Sequence, residues 1–407
     1  MKVLQINVTA NSGSTGKIAE QIGRLVMAEG WQSMIAYGRY ANPSESNLIR
    51  IGTKFDLIEH GIESRLFDNH GLASRQATRQ FIQKVEEIKP DIIHLHNIHG
   101  YYINYQLLFD YLSKLDTPIV WTLHDCWSFT GHCAYFDFAK CEKWRNGCCA
   151  PCPGKKKYPT TLIADRSKEN WETKQQCFTS IKNMTLVPVS NWLGDLTRQS
   201  FLNQYHIRVI HNGIDLNNFQ PTEDVKAIKA KNGITGKYTI LGVANVWNGR
   251  KGFADFMRIR KILPQEYNIV LVGVSKKQKT ILPTGIIGIE RTQDQKELAQ
   301  LYSEANVLVN PTYEDNYPTT NLEAMACGTP VITYKTGGSP ESLSKDTGLV
   351  VEQGDINGLV SAIHEVCENG KEYYTEKCRT WAEEHFDMHQ CFEAYIKLYK
   401  EIVSLIG

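Results

Sequence analysis

Residues 310–330 hold the densest set of chemically useful groups in the sequence. Two carboxylates, Glu314 and Asp315, precede a third, Glu323, and Thr319, Thr320 and Asn321 between them offer hydroxyl and N–H donors. At the start of a helix such donors favour an anion, because the first-turn N–H groups lack partners and the helix dipole is positive there. Carboxylates beside that point can accept hydrogen bonds from ribose or sugar hydroxyls. A structural reading also stands: Thr320-Asn-Leu-Glu323 has the spacing of a capping box, in which the glutamate serves only the backbone. Further on, Thr336-Gly-Gly-Ser-Pro-Glu341 offers Gly338 for close backbone approach, Ser339 as an N-cap and Pro340 at the first helical position. Both loops suit a phosphorylated or glycosylated ligand.

A third small-residue loop, Asn11-Ser-Gly-Ser-Thr-Gly-Lys17, sets Gly13 and Gly16 ahead of a helix. It either presents free N–H groups to an anion or simply turns the chain. It is not a P-loop, which would need glycine where Asn11 stands and Ser or Thr at Ile18. Six of the eleven cysteines fall between Cys126 and Cys152, in a segment that also contains His132, Trp127 and Trp144. Zinc takes sulfur and nitrogen ligands in a tetrahedron, so Cys133, Cys141, Cys148 and Cys152 are the expected ligands of a structural zinc holding a loop with little apolar content. Free buried thiols and disulfides are the alternatives. Lys155-Lys-Lys157, just beyond, is either a solvated loop or a weak contact for anionic lipid at ~1 kcal/mol per charge.

The elements that position these groups follow from the apolar pattern. Short runs rich in Val and Ile occur at 3–8, 34–38, 91–97, 118–124, 185–190 and 208–214, then at 239–246, 268–274, 285–289, 307–310, 330–334 and 348–351. Continuous rather than alternating hydrophobicity marks strands buried on both faces. Helical segments at 17–29, 75–88, 293–305 and 322–327 separate them, so the order is strand then helix in each half. The expected fold is therefore α/β, with two doubly wound parallel-sheet domains whose ligands sit at the carboxyl ends of the strands. Turn formers at 211–221 mark the boundary, giving an N-terminal domain 1–210 with a Cys-rich insertion at 126–160, a second domain 211–384, and a terminal stretch 385–407. Within that stretch Phe392, Tyr395, Ile396, Tyr399, Ile402 and Val403 fall at helical spacing.

Composition narrows the function. The 407 residues are 42% hydrophobic and 22% charged, and 45 basic against 44 acidic residues leave no field suited to duplex DNA. No nucleic acid partner is expected. The start is a strand pattern rather than a signal peptide, and no run approaches the ~20 apolar residues that a spanning helix needs. A soluble, unprocessed, cytoplasmic protein is expected, with at most peripheral contact at the inner face of the membrane.

Together the 314–330 tract, the Gly-Gly-Ser-Pro-Glu loop, Asn212-Gly-Ile-Asp215 and Arg250-Lys-Gly252 resemble a retaining GT-B glycosyltransferase of family 4, the colanic-acid and capsule type. The resemblance implies two Rossmann-like domains facing a cleft. The first takes the acceptor, the second takes the sugar nucleotide, and the last helix crosses back to the first. It assigns Glu323 to the nucleotide ribose. Asp315 or Glu314 is assigned to the donor sugar, with seven or eight residues separating each from Glu323. Lys251 matches the lysine that neutralises the donor diphosphate, where charge grows as the glycosidic bond breaks. The arginine usual six positions earlier is Asn245 here, which leaves Arg250 as its replacement, although Arg250 and Lys251 also read as a solvated helix start.

In the first domain His124 resembles the histidine that faces the reacting sugar. His94 and His96 alternate on one strand and read as core residues, His96 lying nearer the carboxyl end. Ser190 is either a cleft serine or an N-cap. The expected reaction moves a hexose with retention from a nucleotide diphosphate sugar to a glycan or lipid-linked acceptor in surface polysaccharide assembly. No carboxylate stands out as a nucleophile and no Asp-x-Asp tripeptide occurs, so same-face attack without a catalytic metal or cofactor is favoured. A GT-B isomerase or an inactive sugar-nucleotide binder is the alternative, kept open by Asn245.

Overall fold

The computed structural model describes residues 1–222 and 224–405. The last two residues of the expected terminal stretch lie outside the described residues. The chain divides into two compact units, one comprising residues 1–211 with the segment from Phe392 onward, the other Asn212–Cys391.

The first unit contains β1 (Lys2–Ala10), β2 (Gln32–Ala41), β3 (Asn47–Arg50), β4 (Ile92–Leu95), β5 (Ile119–Leu123), β6 (Met184–Pro188) and β7 (His206–Ile207). They form one sheet in the order β3-β2-β1-β4-β5-β6-β7, parallel throughout. The second unit contains β8 (Tyr238–Val243), β9 (Tyr267–Val272), β10 (Ile286–Ile289), β11 (Val307–Asn310), β12 (Val331–Tyr334) and β13 (Gly348–Val351). Their order is β10-β9-β8-β11-β12-β13, again all parallel. The central strands β4, β5, β6, β9, β11 and β12 are buried along their whole length, as continuous apolar runs require.

The structure departs from the sequence pattern at the edges. Strand β3 is largely exposed and too polar to register as an apolar run. The expected strand at 208–214 does not form. The sheet ends instead at the two-residue β7, and Ile214 makes an isolated bridge to Asp387. Edge strands need no apolar second face, so hydrophobicity locates them poorly.

The core of the first unit is aromatic. Phe178 lies 4.5 Å from Phe109 and 4.9 Å from Trp121, centroid to centroid, and Trp127 and Tyr105 join the same cluster. The helix Met388–Ser404 buries Phe392, Tyr395, Ile396, Leu398 and Tyr399. From it, the Tyr399 and Tyr395 hydroxyls reach His94 and Thr122 within the first unit. Between β5 and the helix Ser167–Phe178 the chain forms only 3-10 turns, at Trp127–Phe129, Asp137–Ala139 and Lys143–Arg145.

Candidate functional site

In the second unit, β8 and β11 are neighbours, so the loops leaving their carboxyl ends lie side by side. They are fastened by hydrogen bonds to main-chain carbonyls. Tyr313 N donates to Arg250 O at 2.7 Å, and an Arg250 guanidinium nitrogen donates to Glu314 O at 2.6 Å. Gly252 has φ +72°, and a Cβ there would come within 2.2 Å of Pro311 O, so no larger residue fits this seam. Lys251 Nζ forms an ion pair with Asp315 Oδ2, both side chains retaining some exposure. Glu314 is the inward-turned member of the pair, at 1% exposure, which leaves Asp315 as the carboxylate beside the lysine. Arg250 is committed at least partly to holding the loop, and Asn245 is exposed at the end of β8.

The helix expected at 322–327 begins earlier, spanning Thr319–Ala326 with Pro318 at its N-cap and no side-chain cap. This overturns the capping-box reading of Thr320 and Glu323, because Thr320 already lies inside the helix. Glu323 instead accepts a hydrogen bond from the Tyr302 hydroxyl at 2.8 Å. Thr319 and Thr320 are half-buried at the helix start. Asn321 is not available to a ligand: fully buried, it accepts from Asn310 Nδ2 at 2.8 Å and donates to Ser339 Oγ at 3.1 Å and Ser342 Oγ at 3.0 Å. Thr333 Oγ1 closes the network on Ser339 Oγ at 2.7 Å and Asn310 O at 3.1 Å. Asn321 therefore ties β11, β12 and the turn Ser339–Ser342 to its own helix. Ser339 is not the N-cap expected of it; Gly338 takes that place, and Gly337 carries the positive φ of +53°.

The first unit builds a different cluster at its strand ends. His94 on β4 and His96, one residue past its end, lie with ring centroids 4.1 Å apart, and His96 stacks on His124 at 5.5 Å. His96 Nδ1 meets His124 Nε2 at 3.2 Å and His96 Nε2 meets Gln5 Oε1 at 3.0 Å. His94 is held by Tyr399 at 2.6 Å and Thr122 at 2.8 Å. Burial, which penalises the charged ring, lowers His94 to about 3, His96 well below its ordinary value and His124 to about 4. All three imidazoles are neutral at pH 7. His94 and His96 are satisfied core residues, and His124, half-buried, ends the column. Ser190 Oγ accepts from Leu193 N at 3.1 Å and caps the helix Asn191–Arg198. Gly13 and Gly16 lie in the first turns of the helix Gly13–Ala28, where a Cβ on Gly16 would strike Thr9 Oγ1 at 2.6 Å. Gly16 thus lets that helix start pack against β1.

Cys133, Cys141, Cys148 and Cys152 line one small cavity, and all eleven cysteines are free thiols. Among the described residues, no three His, Cys, Asp or Glu side chains already form a grouping that could hold a metal ion. Of the neighbouring lysines, Lys155 donates to Ile163 O at 3.0 Å and Lys157 lies over the Phe138 ring at 4.5 Å, so only Lys156 is a plainly solvated charge. Two residues at these sites escaped the sequence reading. Tyr302 bonds Glu323 from a helix 21 residues earlier, and Asp68 bonds His132 across 64 residues. Neither separation leaves a local pattern.

Comparison with known proteins adds the following. Residues 16–218 match the family model described as Glycosyltransferase Family 4, and residues 237–369 match Glycosyl transferases group 1. An Escherichia coli (strain K12) protein assigned as the colanic acid biosynthesis glycosyl transferase WcaC is 25% identical over 374 residues, spanning 88% of this chain and 89% of its own. Sucrose-phosphate synthase from Thermosynechococcus elongatus superposes with a TM-score of 0.71 at 17% identity, covering 99% of each chain. HepE of Anabaena, crystallised in complex with UDP-glucose, gives 0.66 at 13% identity, covering 98% of this chain and 100% of that one. The two solved structures speak to the fold alone.

Proposed function

The chain belongs to the GT-B glycosyltransferases of family 4, and from that premise we propose that it moves a hexose, with retention, from a nucleotide diphosphate sugar to a glycan or lipid-linked acceptor. Surface polysaccharide assembly is the process in which we place it, following the E. coli relative assigned to colanic acid biosynthesis. The observation that carries the reading is the Lys251–Asp315 pair on a hydrogen-bonded seam at adjacent strand ends.

A diphosphate leaving group accumulates charge as the glycosidic bond breaks, and a positioned ammonium stabilises that charge without moving. Lys251 supplies it. When the donor binds, the phosphate oxygens take over the lysine and release Asp315 to accept hydrogen bonds from the sugar hydroxyls. Glu323, fixed by Tyr302, accepts from the ribose. His124 is neutral at pH 7 and one of its ring nitrogens meets His96, so it offers a ligand hydroxyl a dipole and not a full charge. The acceptor hydroxyl then attacks the face from which the diphosphate departs, its proton passing to a phosphate oxygen. The protein contributes alignment and charge stabilisation, and the chemistry needs no metal.

Among the described residues no helix is long and apolar enough to cross a membrane. We place the enzyme in the cytoplasm, meeting a lipid-linked acceptor at most peripherally. UDP-glucose is the first donor to try, since HepE was crystallised with it. The test is the anomeric configuration of the product by NMR, with nucleotide sugars of several bases offered. Transfer with the donor's configuration kept supports the reading, and an inverted product overturns the retaining mechanism.

A further inference from the structure

The loop that follows β5 folds with hardly any regular structure, yet it buries Phe129, Phe136 and Trp144. Its thiols line one cavity. Cys133 and Cys152 are in hydrogen-bond contact, with Cys148 and Cys141 close by. Gly154 lets the backbone pass close to both sulfurs, since a Cβ there would lie 3.4 Å from Cys133 Sγ and 3.8 Å from Cys152 Sγ. Cys148 Sγ accepts a hydrogen bond from Gly131 N at 3.1 Å, as thiolate ligands of metals commonly do. The cavity these side chains line has a volume of about 10 Å³, the room of one water or one ion.

His132 lines the same cavity and is the decisive group. Its Nδ1 bonds the Asp68 carboxylate at 2.7 Å, with both side chains at 1% exposure. Asp68 is itself fixed by Arg166 N at 2.9 Å. The other ring nitrogen, Nε2, is buried and has no hydrogen-bond partner. A buried, unpartnered imidazole nitrogen keeps its desolvation cost without a compensating bond, so such a group calls for a ligand. A carboxylate on Nδ1 fixes the proton there and leaves the Nε2 lone pair free, as in carboxylate–histidine–zinc arrangements. Cys141 is partly buried, as are Cys148 and Cys152, so the thiols singled out as ligands are the two in mutual contact and the one that accepts from Gly131 N.

We propose that the loop binds one structural zinc ion through the thiolates of Cys133, Cys148 and Cys152 and through Nε2 of His132, with Asp68 orienting the imidazole. Three thiols release their protons to solvent as the ion enters, and the side chains, not yet gathered around a common point, close on it. Soft sulfur donors with one imidazole select zinc over magnesium or calcium. The ion would cross-link a loop whose regular structure is confined to short turns around a few buried aromatics, independently of the donor site.

The full chain, purified without chelator, is expected to carry one zinc per molecule by elemental analysis. After exchange with cobalt(II), its visible bands should be those of tetrahedral coordination by three sulfurs and one nitrogen. His132→Gln should shift those bands, Asp68→Asn should weaken zinc about 10- to 100-fold in a chelator competition, and Cys141→Ser should change neither spectrum nor stoichiometry. The proposal is overturned if the chain as purified binds neither metal. A four-sulfur cobalt spectrum in the unmutated protein, or loss of the bands in Cys141→Ser, removes His132 from the ligand set.

Discussion

Two parallel sheets of similar design end in opposite chemistry. At the carboxyl ends of β4 and β5 the first unit stacks three neutral imidazoles, braced by Gln5, Thr122 and Tyr399 and stripped of charge by burial. At the ends of β8 and β11 the second unit pairs a lysine with an aspartate and keeps both partly open to solvent. A neutral column can orient hydroxyls and a sugar ring; a partly solvated ion pair can exchange its carboxylate for a phosphate. The shared topology supplies strand ends, and the residues placed on them decide what each does. The ionic side should therefore govern donor charge, and the neutral side should govern geometry and acid stability.

The strongest way to break this comparison is Lys251→Ala. Loss of one preorganised charge at the leaving group should cut kcat/KM by about 10²- to 10³-fold while leaving the thermal midpoint nearly unchanged. A drop below threefold would put the diphosphate elsewhere. Next in size is Glu323→Gln, which should raise the donor KM about tenfold with little change in kcat, the pattern of a lost ground-state contact. Tyr302→Phe, which frees Glu323 without removing it, should move KM the same way by less. If Tyr302→Phe changes kcat alone, Glu323 touches the reacting sugar and not the ribose.

The smallest effect sharpens the neutral side. His94 has an ordinary value of 6.5 in the unfolded chain and about 3 when folded. Its contribution is complete above 6.5 and is lost as pH falls through that window, because the unfolded chain takes up protons that the folded one refuses. Each such imidazole removes up to about 1.4 kcal/mol per pH unit. Urea unfolding midpoints should thus decline more steeply below about pH 6.5, and that added decline should flatten in His94→Gln. Midpoints unchanged down to pH 5 would mean that the column is charged or solvated.

Much of this was legible in the residues. The buried strands announced themselves as Val- and Ile-rich runs, the helix Arg75–Ile88 lay where its periodicity put it, and alternation along and just past β4 gave the closeness of His94 and His96. What escaped were features without a local signature. Strand β3 is polar and β7 too short, and the burial of Asn321 depends on β12 and the turn after it, which no local pattern around Asn321 reveals. The Thr320 capping box failed for a neighbouring reason: Pro318, with its extended backbone, starts the helix earlier than the apolar pattern does. His132 illustrates the same limit, since its meaning rests on Asp68, 64 residues away.

The central claim is that the second unit grips a diphosphate through Lys251. Calorimetric titration with UDP and with uridine, on the natural chain and on Lys251→Ala, tests it without requiring the acceptor. The natural chain should bind UDP at least about tenfold more tightly than uridine, and the variant should bind the two almost equally. A variant that keeps the full preference for the diphosphate would contradict the account.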